Sequence, residues 1–290
     1  MFKTTYTVDG VPLDDPADRW FLEAGSRRRS LPAVRATRVS TPGRSGSFFT
    51  PNDTFEDGQF GLSVIVTDKD AAGVPGGQTQ VEKNIELLTG LLAGTGRLMR
   101  VEHRIGLNDV RVAYGRVAAG AEPEPRRGLL DRYLLRFVVE VPGVFWSDGA
   151  GPQFMAGAAP TASGTLHLPI LDGGSAPITD ATVRFAGPFN GRVSVADARS
   201  GTGLSYQGNV PAGTFVFLNA GTLKAHTSTN KEAWDTGTDV SGGLDYPPAG
   251  PLQITPSAQS DGTHYAVKYT LPAAKNVPDA VAVRAERKFI

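Results

Sequence analysis

The sequence has 290 residues, 40% hydrophobic and 20% charged, so it is long enough for two domains that each bury a core. Lys and Arg together number 29, as do Asp and Glu, and this neutral balance gives no electrostatic reason to expect nucleic acid as the main partner. The absence of cysteine excludes disulfides and thiolate metal sites. A net charge of zero also gives little protection against self-association.

The sequence shows no targeting or membrane-spanning segment. The first ten residues, MFKTTYTVDG, lack the apolar core of a signal peptide. The most apolar run, Leu129–Trp146, is interrupted by four charged residues and is too polar to span a bilayer. We therefore expect a soluble chain that is made in the cytoplasm.

The first half of the chain alternates between apolar and polar residues, which predicts half-buried antiparallel strands. The clearest alternation covers Val110–Tyr114 and Tyr133–Val141. Weaker strand candidates are Thr4–Val8, Arg19–Glu23, Ala33–Val39, Gln59–Val66 and Leu98–His103.

One segment of the first half, Gln78–Leu92, has helical periodicity instead. Its apolar residues recur along one helix face while its charged residues point away from that face. These apolar residues are Val81, Ile85, Leu88 and Leu92. Glycines flank the segment on both sides, as is typical of helix ends. We therefore predict, over residues 1–147, a split β-barrel or sheet with one packed α-helix.

The second half differs from the first in composition and periodicity. Residues 148–164 are rich in Gly, Ala and Pro and nearly uncharged, which predicts a linker. In 165–290, short strand candidates alternate with turn residues and no helical period occurs, which favours a β-sandwich. The candidates are Thr182–Phe185, Gly191–Ala196, Leu204–Gln207, Thr214–Asn219, Leu223–His226, Leu252–Thr255, Tyr265–Leu271 and Ala280–Arg287.

The glycine- and serine-rich stretch at 40–60 raises the question of a catalytic or phosphate-binding loop. A nucleophile elbow needs G-x-S-x-G, but the glycine after Ser45 comes one position early, at Gly46. A phosphate-binding loop needs a following Lys-Ser or Lys-Thr and a helix, whereas two phenylalanines and a proline follow here. We therefore interpret this stretch as a turn between strands.

Metal-binding patterns are also incomplete. The loop that starts at Asp68 resembles a calcium-binding loop, but its twelfth position is Thr79 where a bidentate glutamate is required. The histidines have no ligand spacing, which favours ordinary surface or core roles. They are His103, His167, His226 and His264. We expect no metal and no cofactor.

Two kinds of charged cluster remain. Carboxylate pairs at Asp14-Asp15 and at Glu122 and Glu124 flank prolines and could act together only if the fold brought them to one cleft. The sharpest basic cluster consists of Arg27, Arg28 and Arg29. It is either a solvated loop or an intersubunit salt-bridge site. We predict no catalytic residue and no enzymatic activity.

In their order along the chain, these segments resemble the distal tail protein family of long-tailed bacteriophages, often called Dit. The first half shows an initial hairpin, the turn PGRSGSF, a strand ending in VIV, one helix, and paired strands closing with FVVEVPGVFW. Its turn looks like the family's P-G-x-x-G pattern at Pro42, Gly43 and Gly46. The stretch Gly201–Gly221, GTGLSYQGNVPAGTFVFLNAG, is similar to the family's galectin-like β-sandwich.

The resemblance implies a ring, usually a hexamer, that the first domain builds at the tip of the phage tail. Such a ring joins the tail tube to the hub and to fibre or receptor-binding proteins, around a channel that DNA crosses. It implies a structural virion protein, assembled in the host cytoplasm and not inserted in a membrane. Function would then lie in extended interfaces, which fits the lack of a catalytic motif.

Three alternatives stay open. A galectin-like fold raises carbohydrate or receptor binding, for which galectins use histidine, asparagine, arginine and a stacking tryptophan. The segment HTSTNKEAWD supplies His226, Asn230 and Trp234 but lacks the arginines, so we favour Trp234 as a plug at the sandwich edge. A tail-tube subunit with an added domain is the second alternative, and an enzyme ranks last.

Overall fold

The chain forms two compact units. The structure, a computed structural model, describes residues 5–24, 26, 32–35, 54–94, 96–106, 109–120, 122–126, 131–260, 262–275 and 277–290. The first unit comprises residues 1–150 together with Ile290, and the second comprises residues 151–289. Within the described ranges, no helix combines the length and apolar character needed to cross a membrane.

The first unit is an antiparallel sheet with one helix among its described residues. Its elements are β1 (Thr5–Val8), β2 (Val11–Pro12), β3 (Trp20–Leu22), β4 (Val34–Arg35), β5 (Thr54–Phe55), β6 (Gly58–Thr67), α1 (Gly77–Leu92), β7 (Met99–Arg104), β8 (Val110–Ala119), β9 (Glu124–Pro125), β10 (Arg132–Val141) and β11 (Trp146–Asp148). The strand order is β2-β1-β7-β8-β10-β6-β3. In addition, β11 pairs with β8, β9 with β10, and β4 with β5.

The longest strand pair, β6 with β10, is the centre of this sheet. It runs antiparallel without interruption from Arg132 opposite Thr67 to Val141 opposite Gly58. On its other side, β10 approaches β8 very closely. Gly115 permits this approach, because a Cβ atom there would lie only 2.8 Å from the Glu140 carbonyl oxygen. The strands β6, β8 and β10, which the sequence alternation predicts, therefore lie side by side in one curled sheet.

The helix α1 buries the face that its periodicity predicts, with all four apolar residues inside. It also buries Asn84 completely. The Asn84 side-chain amide donates hydrogen bonds to the carbonyl oxygens of Thr67, at 2.8 Å, and of Lys69, at 2.7 Å. Since both carbonyls belong to the end of β6 and the turn after it, this side chain ties the helix to the sheet.

The second unit is a β-sandwich. Its strands are β12 (Gln153–Gly157), β13 (Ser163–His167), β14 (Thr182–Ala186), β15 (Phe189–Asp197), β16 (Gly203–Val210), β17 (Phe215–Asn219), β18 (Lys224–Ser228), β19 (Thr238–Asp239), β20 (Leu244–Asp245), β21 (Ser257–Gln259), β22 (Gly262–His264), β23 (Ala266–Thr270), β24 (Val281–Ala285) and β25 (Lys288–Phe289). One sheet has the order β12-β24-β14-β17-β18-β19 and the other β13-β23-β15-β16-β20. Val183, Phe185, Val193 and Leu218 lie in the core between these sheets.

The fold class predicted from the sequence is confirmed: the protein is mainly β, with a helix packed on the first sheet and a sandwich in the second unit. One predicted strand is wrong. Leu252–Thr255 forms only an isolated bridge, between Ile254 and Ile178. Prolines at 251 and 256 flank the segment and carry no N–H group, which limits how far a ladder can extend there.

The sequence predicts a linker over 148–164, but the structure places one strand inside this range and the start of another. Gln153–Gly157 is the edge strand of the six-stranded sheet, and Ser163–His167 is the edge strand of the five-stranded sheet. Each pairs on one side only, and Gly-, Ala- and Pro-rich turns flank both strands in the sequence. The composition of the whole stretch is therefore close to that of a linker, although Met155 and Leu166 pack against the sandwich core.

A nearly buried ion pair shapes the turn that leads into β3. The Asp15 carboxylate is 7% exposed and accepts hydrogen bonds from the backbone N–H groups of Ala17 and Arg19. The Arg19 guanidinium lies 2.7 Å from it and covers the Trp20 ring at 4.5 Å. Burial raises the pKa of Asp15, but the hydrogen bonds and charge of Arg19 outweigh burial and hold this pKa below its usual range.

We predict that Asp15→Asn lowers the free energy of unfolding of the first unit by about 1–3 kcal/mol at neutral pH, because it removes the charge that Arg19 faces. Since the pKa of Asp15 is lower in the folded than in the unfolded state, this contribution is complete above about pH 4 and is lost as the pH falls through the folded value. Urea unfolding followed by tryptophan fluorescence should show the two proteins converging at low pH.

The control for this prediction is Asp18→Asn. The Asp18 side chain is 63% exposed and pairs with Lys69 at the surface, so its replacement should change the stability by less than about 1 kcal/mol. A stability difference between wild type and Asp15→Asn that stays constant between neutral and acidic pH would contradict the proposed role of the Asp15 charge.

Candidate functional site

The candidate carboxylates act locally. Asp14 accepts the backbone N–H of Leu22 at 3.2 Å, and Glu124 lies 3.3 Å from the Arg136 guanidinium. Over the described ranges, no group of three or more His, Asp or Glu side chains is placed to hold a metal ion. Asp14, Asp15 and Glu124 thus lie in turns or surface ion pairs, where each has a structural contact.

The two acids of the calcium-like loop shape the turn before α1. The Asp68 carboxylate accepts the N–H of Gly77, the first residue of the helix, at 3.1 Å. The Asp70 carboxylate accepts the N–H groups of Ala72 and Val74, both at 2.9 Å. The Asp68 contact satisfies a backbone donor that the helix start leaves free, while the Asp70 contacts close the turn that precedes the helix, so both carboxylates have structural roles here.

The four histidines occupy four separate environments. His103 stacks on Tyr6 at 4.3 Å between ring centres, and the ring nitrogen Nδ1 of His264 lies 3.0 Å from Asp172. His167 is exposed on β13. His226 belongs to the aromatic cluster described below.

Two of the sequence hypotheses fall outside the described residues. These are the arginine cluster Arg27, Arg28 and Arg29, and the turn at Pro42, Gly43 and Gly46 with Ser45. Both stay predictions.

An aromatic cluster covers the face of the six-stranded sheet that points away from the sandwich core; we call this face the outer face. On it, the His226 ring stacks on Phe217 at 4.8 Å, and Trp234 meets Phe217 edge-on at 5.5 Å. The His226 nitrogen Nε2 lies 2.8 Å from the Ala233 carbonyl oxygen. Because Trp234 is only 6% exposed, little of its ring is free to stack on a sugar. The geometry supports the plug interpretation.

Asn230, the third residue of that hypothesis, lies on the exposed loop between β18 and β19. Its side-chain oxygen accepts the backbone N–H of Glu232 at 3.0 Å. Asn230 therefore has a clear role in shaping the segment 229–237 that carries Trp234 over the sheet.

An arginine joins this cluster from another strand. Arg184 lies on β14, and its side chain is 1% exposed. Its guanidinium carbon is 5.1 Å from the centre of the Trp234 ring and 5.2 Å from that of Phe215. These distances place the cation between two aromatic rings, an arrangement that partly offsets the loss of water.

The polar contacts of Arg184 fasten the covering segment. Its Nη1 donates to the Lys231 carbonyl oxygen, while the carboxylates of Glu232 and Asp279 lie 4.0 and 3.6 Å away. Its buried Nε has no hydrogen-bond partner among the residues that the structure describes. Burial lowers the pKa of Arg184, and the two carboxylates only partly oppose this shift.

Arg184 lies outside the segment 226–235, from which the arginines of a galectin-like site are missing. The residues that meet at this site are 47 positions apart, from Arg184 to Lys231. In the short strand TVRFA, Arg184 alternates with the apolar Val183 and Phe185, as in a strand with one face in solvent, so the sequence gives no signal of its burial. The burial arises because the fold places Trp234 and its segment over this strand.

The first unit carries an apolar pocket at the C-terminal end of α1. Its cavity volume is about 280 Å³, and it is lined by Thr89, Leu92, Ala93, Gly94, Val117, Gly120, Leu135 and Phe137. Large apolar side chains are also exposed on this unit, namely Val34, Val74, Leu87, Leu98 and Tyr114. A pocket together with exposed apolar side chains is the kind of surface on which protein–protein contacts form.

We predict that packing, more than charge, makes Arg184 stabilise the second unit. Arg184→Met keeps the volume and removes a costly buried cation, so the free energy of unfolding should change by less than about 1 kcal/mol. Arg184→Ala leaves a cavity beneath Trp234 and should cost about 2–4 kcal/mol. Urea unfolding monitored by tryptophan fluorescence measures both.

Arg192→Met, at a side chain that is 58% exposed, is the matched control and should leave stability unchanged. If Arg184→Met destabilised the protein as much as Arg184→Ala, then the ion pairs with Glu232 and Asp279 would be the main stabilising contacts, and the packing argument would be wrong.

Together, a curled sheet with a packed helix and a following β-sandwich define the distal tail protein fold, and the resemblance expected from the sequence is confirmed at the level of the fold. The Dit protein of phage SPP1 has this fold. It is described as a paradigm of hub adsorption apparatus in Gram-positive infecting phages, and it aligns with 14% identity, 100% coverage of both chains and a TM-score of 0.63.

Two baseplate structures of phage P2 in its activated conformation, with Ca and with Sr, also align over 100% of both chains. Each has 9% identity and a TM-score of 0.39. No family model matches the sequence, and no curated protein matches it.

Proposed function

We propose that this chain is a structural protein of a phage tail tip. It forms a hexameric ring that joins the tail tube to the hub or baseplate and to fibre or receptor-binding proteins. The observation that carries this proposal is the alignment of both units, in one order and over the full length, with SPP1 Dit. The chain has no enzymatic role in this proposal, and DNA only passes through the ring channel.

The surface of the first unit supports the proposal. A closed ring of identical copies needs two different complementary patches on each copy. The apolar pocket beside α1 and the exposed apolar side chains of the same unit offer such features. We assign ring formation to this unit and not to the β-sandwich of the second unit. The protein is assembled in the host cytoplasm and resides in the virion.

Electron microscopy of the purified full chain tests the proposal most directly. Rings of constant diameter in negative stain, with a mass of six copies by light scattering, are the expected result. Long tubes would favour a tail-tube subunit instead. Monomers at all concentrations would favour a separate carbohydrate- or receptor-binding module and would overturn the proposed ring.

A second prediction separates the two units. Because each unit has its own core, fragments 1–150 and 151–290 should each fold alone. The first fragment should form oligomers and the second should remain monomeric, as measured by light scattering. Oligomers from the second fragment alone would mean that the ring interface has been assigned to the wrong unit.

A third prediction concerns the arginine cluster. Exposed charges contribute only about 0–1 kcal/mol to stability, so replacing Arg27, Arg28 and Arg29 together with alanine should barely change the melting temperature. If these residues form intersubunit ion pairs, ring formation should weaken at low salt and become less sensitive to salt than in wild type, because the interactions that salt screens are gone. Sedimentation or light scattering across a salt series measures this.

The matched control removes three exposed charges from the second unit, at Arg192, Lys224 and Lys268. This control should assemble like wild type. Equal assembly of the Arg27–Arg29 variant and wild type at every salt concentration would exclude the intersubunit role.

A further inference from the structure

A polar pocket lies on the outer face of the six-stranded sheet. The strand register places Phe154 opposite Arg284, Arg284 opposite Thr182, and Thr182 opposite Asn219. Residues that are direct cross-strand partners point to the same face of a sheet. These four side chains therefore form one row on the outer face, one row away from the cluster around Trp234.

The row borders a cavity with a volume of about 130 Å³. Its lining is Pro152, Asp180, Thr182, Asn219, Asp235, Arg284, Ala285 and Glu286. Most of these residues carry side chains that donate or accept hydrogen bonds, and all belong to the second unit. The cavity has the size to receive one ring of a larger ligand that lies across the sheet.

The charges around this cavity are already paired with each other. The Arg284 guanidinium lies 2.7 Å from the Asp235 carboxylate. The Lys288 ammonium lies 2.8 Å from Asp180 and 3.3 Å from Glu286. Three carboxylates face two cations, so no excess positive charge attracts a phosphate or another anion.

The paired groups nevertheless keep hydrogen-bonding capacity. A carboxylate has about four acceptor positions and a guanidinium has five donors, more than one ion pair uses. The Asn219 amide donates to the Thr182 hydroxyl at 3.2 Å, which fixes the orientation of both side chains. The pocket thus offers fixed donors and acceptors without a strong field, which suits a neutral ligand with many hydroxyl groups.

An exposed aromatic ring stands at the edge of the same row. Phe154 is 52% exposed, although large aromatic side chains are usually packed inside. The centre of the Phe154 ring lies 6.1 Å from that of the buried Trp234 ring, and this contact supports the Phe154 side chain. One face of the ring is therefore held in place for the apolar side of a ligand that is polar elsewhere.

We propose that this pocket binds a neutral saccharide. One sugar ring packs its C–H groups on Phe154 and hydrogen-bonds to Asp235 and Arg284, and the next ring of the same saccharide lies over the cavity and hydrogen-bonds to Asn219, since three strand spacings separate Phe154 from Asn219. The site differs from the one considered in the sequence analysis, because Trp234 here only supports Phe154. It does not depend on ring formation and would operate equally in a monomer.

Saturation-transfer NMR on the full chain tests this proposal. The probes are the methyl glycosides of glucose, galactose, mannose, rhamnose and N-acetylglucosamine, together with the disaccharides lactose, maltose and cellobiose. We expect saturation transfer to at least one probe. Titration of that probe should give a Kd that is nearly unchanged between about 50 and about 500 mM NaCl, because a neutral ligand is not screened.

Two variants locate the site. Phe154→Ala should raise the Kd of the binding probe about tenfold, and Asp235→Ala about fivefold or more, through the loss of stacking and of a charge-assisted hydrogen bond respectively. The Asp235 side chain is 69% exposed, so its replacement leaves folding intact. Tyr246→Ala, at another half-exposed aromatic residue of this unit, is the control and should bind like wild type.

Absence of saturation transfer to every probe would overturn the proposal. So would a probe that binds equally well to wild type, Phe154→Ala and Asp235→Ala. A Kd that rises steeply with salt would show that the pocket takes a charged ligand, which contradicts the neutral-ligand argument. Electron microscopy tests ring formation separately. If the protein forms rings but binds no sugar, only the saccharide proposal is overturned, and the proposed tail-tip function is unaffected.

Discussion

Both units depend on a central strand that is buried on two faces and on a segment that covers the face away from the core. In the first unit, the end of β6 is buried on both sides, and α1 lies against it. In the second unit, all of β14 is buried, and the segment 229–237 covers it through Trp234. A polar side chain on such a covered strand needs a partner, because water cannot reach it. This requirement organises the contacts of Asn84 and Arg184.

The two covering segments meet that requirement to different degrees. Asn84 donates to two carbonyl oxygens and completes the hydrogen bonding of the β6 turn. Arg184 reaches one carbonyl and two distant carboxylates, and within the described part of the chain its Nε has no partner. The Phe215 and Trp234 rings near the Arg184 guanidinium provide the remaining compensation. The cover of the sandwich is consequently fastened mainly by packing, whereas the cover of the first sheet is fastened by hydrogen bonds.

Surfaces that neither α1 nor the segment 229–237 covers are available for partners. On the first unit, the apolar pocket at the end of α1 is suited to a protein neighbour. On the second unit, the row from Phe154 to Asn219 is polar and its charges are internally paired, which suits a small neutral ligand. The surface chemistry of the two units is therefore different.

The sequence by itself determined the class of fold and most of its elements. Periodicity alone located α1 and the strands β6, β8 and β10, because the period of a helix or strand is a property of the local backbone. Only the tertiary structure decided that Gln153–Gly157 and Ser163–His167 are edge strands, since each is short and lies among Gly-, Ala- and Pro-rich turns that hide any period in the sequence. It alone joined Arg184 to the segment around Trp234 and placed Phe154 beside Arg284. Those contacts link residues far apart in the chain, and local sequence carries no record of which sheet face will be covered.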